Sequence, residues 1–160
     1  MNKLSIAIIF ILLLIIIFGV NKYIQCDAVP VVVAVENDDG RTAISLTSSE
    51  RNLILEEMRG FLISSQQIIK AVAEDEMADA AVAARKSGRA AQEEAPTALR
   101  EKLPMQFKQL GLDTHTKFDQ LALDAEDMED TEQTLTQLAE LMQNCVTCHA
   151  TFRLDVEKAD

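Results

Sequence analysis

LTQLAELMQNCVTCHATFR, residues 135–153, places Leu135, Leu138, Met142, Cys145, His149 and Phe152 at intervals of three, four, three, four and three. That spacing returns to one face of an α-helix at every turn and matches no strand. Asp130 to Gln133 opens the segment with a capping-box-like start, in which a side-chain oxygen takes up an unpaired amide of the first turn. The stretch reads as one long amphipathic helix, and the same period identifies its partners upstream.

Thr47-Ser48-Ser49-Glu50 fits a capping box, and after it Ile54, Met58, Phe61, Ser65, Ile68 and Val72 recur at steps of four and three. They predict a first helix over about residues 49–73, with Leu55, Leu62 and Ile69 widening its stripe. A second, alanine-rich helix follows Asp75 through EMADAAVAARKSG and is expected to close at Gly88 in a left-handed conformation. Its small side chains would let neighbouring backbones approach closely. Residues 88–104, punctuated by Pro96 and Pro104, form a connection holding one short helix in TALREKL. A third long helix carries Phe107 and Leu110 ahead of Gly111, then His115, Phe118, Ala122 and Ala125 after an Asp113 cap. Four amphipathic helices, with no internal repeat and no strand signal in the body, predict an all-α fold: an antiparallel four-helix bundle over residues 48–160.

Two segments precede it. Residues 1–26, MNKLSIAIIFILLLIIIFGVNKYIQC, hold an apolar run from Leu4 to Val20, at about 17 residues just sufficient for a bilayer span. The segment is a signal peptide or a transmembrane anchor. Lys22 and Tyr23 favour an uncleaved anchor, because they suit the membrane interface and no small-residue cleavage site is well marked. Export to the periplasmic side of the cytoplasmic membrane follows, or a soluble periplasmic chain if the leader is removed. Residues 27–47 are a linker or a small hairpin, with two β-branched runs flanking the turn-forming Asn37-Asp38-Asp39-Gly40.

The chain carries 15 basic and 26 acidic side chains, a net charge of −11. Such a field repels nucleic acid and anionic headgroups and favours a partner with a basic surface patch.

The last helix contains the chemistry. Only three cysteines and two histidines occur in the chain, yet Cys145, Cys148 and His149 fall within five residues. Cys-x-x-Cys-His is the attachment pattern of a c-type haem: two thiols add to the porphyrin vinyl groups and the adjacent imidazole binds iron. The competing readings are weaker. A dithiol redox pair opens a helix, where the dipole lowers the thiol pKa, whereas this pair lies deep inside one. A zinc site needs further ligands, and Cys26 and His115 lie far off in sequence. A disulfide within one helical turn is strained and leaves His149 unexplained. Phe61, Phe118 and Phe152 lie on inward faces, as ordinary core or as walls of a haem pocket. No catalytic constellation accompanies them.

With CVTCHATFR on the last helix of an exported four-helix chain, the sequence resembles the class II cytochromes c, the group containing cytochrome c prime. The resemblance implies thioethers at Cys145 and Cys148, His149 as axial iron ligand, and Arg153 near the same face. It also implies a choice at the sixth position. Low-spin members take a methionine from the first helix, here Met58, and carry electrons. High-spin members leave that side open and bind nitric oxide or carbon monoxide. Counting rise along the helices puts Met58 and His149 at nearly one height, so one-electron transfer is the leading expectation. Related bundles also pair as homodimers through their first two helices. His115 falls roughly 9 Å along the axis from His149, better suited to a core position or a contact with the haem edge than to iron.

Overall fold

The computed structural model describes residues 39–92 and 96–157; the leader and the first β-branched run lie outside the described residues, and with them the anchor and the first half of the hairpin. The elements in chain order are β1 (Thr42–Leu46), α1 (Ser48–Ala73), α2 (Met77–Arg85), α3 (Arg89–Gln92), α4 (Thr97–Lys102), α5 (Met105–Met128), α6 (Thr131–Thr151) and β2 (Phe152–Val156). The described chain is mostly helical, as the 3.6-residue period requires.

Both capping signals form. The Thr47 hydroxyl accepts from the Glu50 amide at 3.2 Å while the Thr47 amide donates to the Glu50 carboxylate at 2.9 Å. At α6 the Asp130 carboxylate accepts from the Gln133 amide at 3.0 Å. The far ends of α1 and α5 turn on Asp75 and Glu129, both at positive φ.

The main core lies where α2 packs against α1 and α5, and α5 against α6. Ala80, Ala81, Ala83 and Ala84 are buried and bring α2 close to its neighbours, with Ile68, Phe118, Leu121 and Leu141 filling the space between. Each of those larger side chains contributes roughly 1.5–3 kcal/mol by leaving water. By contrast, α1 meets α6 only sparingly. The buried stripe of α6 is accordingly Thr134, Leu138, Leu141 and Asn144, while Leu135 and Met142 stay 45% and 43% exposed. The expected seam is thus rotated toward α5, and the half that would have faced α1 is left open.

Three further expectations are corrected. The strand-free body is not observed: Phe152 is not a helical residue but opens β2, which pairs in parallel with β1 from Thr42↔Phe152 to Leu46↔Val156. Phe152 and Leu154 pack with Ile44, Leu46, Ile54 and Leu99 in a second core under the start of α1. The linker therefore ends before Thr42, and the described partner of β1 is a strand at the other end of the chain rather than a hairpin neighbour. Second, α5 runs unbroken through Gly111, so Asp113 caps nothing; its carboxylate pairs with Lys117 one turn on and accepts from Asn144 of α6 at 2.7 Å. Third, Gly88 is not left-handed. It is small for a different reason: a Cβ there would collide with the Asp119 carboxylate, which accepts from the Arg89 amide at 3.0 Å.

Candidate functional site

The open seam between α1 and α6, floored by α5, is a cleft of about 390 Å³, within the size range of small-molecule and cofactor sites. Ile54, Met58, Phe61 and Leu62 line it from α1, Phe107, Leu110 and Thr114 from α5, and Met142, Asn144, Cys145, Cys148 and His149 from α6. Sequence positions almost ninety residues apart, Met58 and the Cys-x-x-Cys-His motif, thus face one space. This follows from packing: α6 gives its stripe to α5 as far as Asn144, and the residues just beyond that stripe turn to the gap.

Both thiols are free and half-buried, and the His149 residue is exposed. Burial pushes the Cys145 thiol up; burial and then the neighbouring Cys145 push the Cys148 thiol up. Cys148 also lies in the last turn of α6, where the helix dipole is negative and disfavours a thiolate. A dithiol redox pair needs the opposite on both counts. Among the described residues, no three His, Cys, Asp or Glu side chains converge on a point that could hold a metal ion, which gives the zinc reading no support. Neutral, partly accessible thiols in an apolar cleft suit covalent attachment to an apolar macrocycle.

Of the remaining predicted residues, Phe61 lines the cleft, whereas Phe118, Phe152 and Arg153 stand outside its lining. Phe61 is in the wall, and Phe118 stacks behind it with centroids 5.6 Å apart. Phe152 meets the wall residue Phe107 edge-on at 5.5 Å. Arg153 lies on β2, its guanidinium 3.5 Å from Asp155, and does not line the cleft. The chain leaves the helix at Phe152, so the helical spacing that would have carried Arg153 alongside His149 no longer applies.

His115 is 1% exposed and is not in the lining. Its Nδ1 lies 2.9 Å from the Ser87 carbonyl and 3.1 Å from that of Gly88, and its Nε2 lies 3.1 Å from the Glu57 carboxylate. Phe61 meets the ring edge-on at 5.0 Å. Desolvation pulls the imidazole pKa down, but the Glu57 carboxylate and the Ser87 carbonyl outweigh it and hold the value above the ordinary one. Both nitrogens face acceptors, so the fully satisfied form is the imidazolium. His115 is thus a satisfied core histidine that ties α1 to the end of α2.

Sequence reading passed over Glu57, Arg59, Thr114 and Asn144, all of which line the cleft. The first two flank Met58 on α1, and polar residues at the border of an apolar stripe are the signal that could have found them. Asn144 donates to Asp113 and, at 3.3 Å, to the Thr114 hydroxyl, contacts between helices that no local pattern reveals.

No family model, curated protein or solved structure matches the chain.

Proposed function

We propose that the protein is a c-type cytochrome of the class II kind, an antiparallel four-helix bundle holding one covalent haem in the cleft between α1 and α6. The observation that carries the reading is the convergence of Cys145, Cys148 and His149 with Met58 on one apolar cavity. The residues fit the group: two neutral thiols one turn apart, an imidazole beside them, and walls of Ile54, Leu62, Phe107 and Leu110 that would exclude water from a macrocycle.

A bound haem supplies a one-electron iron couple. In this reading Cys145 and Cys148 hold the ring by thioethers and fix its orientation. His149 would supply an imidazole nitrogen to the iron. Met58 would offer its thioether to the iron from the α1 wall, and such ligation would raise the potential and deny the iron to small gases. The chain is then a carrier of single electrons rather than an enzyme, exported and held at the periplasmic face of the membrane by its leader. Its acidity suits a redox partner with a basic patch.

The test is a mass. Protein produced with a haem-ligation system and then denatured is expected to carry one haem, and Cys148→Ala to retain at most a single thioether. An unmodified wild-type mass overturns the reading.

A further inference from the structure

We infer that Arg59 anchors a carboxylate of the cofactor at the mouth of the cleft; the inference rests on the haem reading above and names the residue that recognises the anionic edge of the group. Haem carries two propionates, which the net charge of −11 opposes and an apolar cavity cannot solvate. Besides His149, the charged side chains in the cleft lining are Glu57 and Arg59. Glu57 is matched from below by buried His115, 3.1 Å away. Its negative charge is thus offset, and it does not stand unopposed against a second carboxylate.

Arg59 is different. It is exposed, and among the described residues it makes no ion pair. Glu56, three residues before it, is the acid its own helix offers at pairing distance, and no bridge forms between them. A guanidinium is the side chain best matched to a carboxylate, since its fork donates two parallel hydrogen bonds. The layout of the cofactor favours this position. Vinyl and propionate substituents occupy opposite edges of the ring, so thioethers to α6 turn the propionate edge away from the cysteines, toward solvent and the α1 side where Arg59 stands.

Arg59→Gln and Arg59→Lys separate this idea from its parent. All three proteins should show the mass of one covalent haem, because the thioethers do not depend on Arg59. In Arg59→Gln the propionate bending band in the resonance Raman spectrum should shift and the midpoint potential should fall, since a positive charge that favours ferrous iron is lost. Arg59→Lys should restore the potential but not the band, as it keeps the charge without the fork. A haem-bearing Arg59→Gln protein with wild-type band and wild-type potential overturns the Arg59 assignment and leaves the haem reading standing. A wild-type protein without haem overturns both.

Discussion

Met58 and His115 show how differently two side chains on neighbouring helices are committed. Met58 is half-buried, faces the cleft and packs on the second core. If it binds iron, Met58→Ala should convert a low-spin spectrum to a high-spin one, lower the potential and allow carbon monoxide to bind. A wild-type spectrum that is already high-spin and unchanged by the substitution would favour the gas-binding alternative. His115, by contrast, is buried among fixed acceptors. Its pKa lies above the ordinary 6.5, with the Glu57 and Ser87 bonds outweighing desolvation. The sign follows directly: the native state binds the proton more tightly than the unfolded chain, so this stabilisation is complete below the unfolded pKa and fades as pH rises through the folded one. His115→Gln should therefore cost about 1–3 kcal/mol in mildly acid solution, as expected for a charge-assisted buried bond. Urea unfolding of both proteins from about pH 5 to about pH 9 should show the gap narrowing toward the alkaline end. A gap that widens with pH would mean that His115 is held neutral.

At the level of elements, the local signals were readable where neighbouring residues settle them. The capping box at Thr47, the side-chain cap at Asp130 and the long apolar stripes depend on residues within a turn or two. Gly88 shows the limit: a glycine after a helix suggests a left-handed cap, yet here it is the Asp119 carboxylate of α5 that leaves no room for a Cβ. Gly88→Ala should cost about 1–3 kcal/mol, as overpacking does, visible as a lower urea midpoint with unchanged slope. Were the residue serving only as a terminator, Asp119→Ala would not relieve the cost; the structure expects relief. β2 was missed for a related reason. Five residues following a helical stripe continue its apolar pattern plausibly, and only β1, more than a hundred residues earlier, gives Phe152, Leu154 and Val156 a ladder to join. Leu46 is fully buried where that ladder meets α1, so Leu46→Ala should destabilise by about 2–5 kcal/mol. Thermal unfolding should show the loss, with the Cys145 to His149 segment gaining hydrogen exchange ahead of α2.

Across the whole molecule the charge is uneven. Glu74, Asp75, Glu76 and Asp79 crowd the turn from α1 to α2, and Asp124, Glu126, Asp127, Glu129 and Asp130 crowd the turn from α5 to α6. Lys70 and Arg85 pair with Glu74 and Glu126 there, and the rest stay unmatched enough to leave an acidic pole. The cysteine motif belongs to the other end, beside the two-stranded sheet. If the chain carries the proposed haem, electron exchange with a cationic metal complex should slow several-fold as salt rises from about 0.01 M to about 0.3 M, because screening shortens the reach of the net charge. An uncharged reagent should be indifferent, and an equal response from both would remove electrostatic steering from the account. The sequence alone determined the helical class, the capped starts of α1 and α6, the acidic field and the Cys-x-x-Cys-His motif, since each depends on residue type or on spacing within a few turns. Tertiary structure decided the rest: that α1 and α6 stay apart, that Met58 and the motif share the resulting cleft, that Arg153 leaves it with β2, and that Glu57 meets a buried imidazole. Those outcomes depend on which helix claims which face, and that competition is settled only when distant segments pack together.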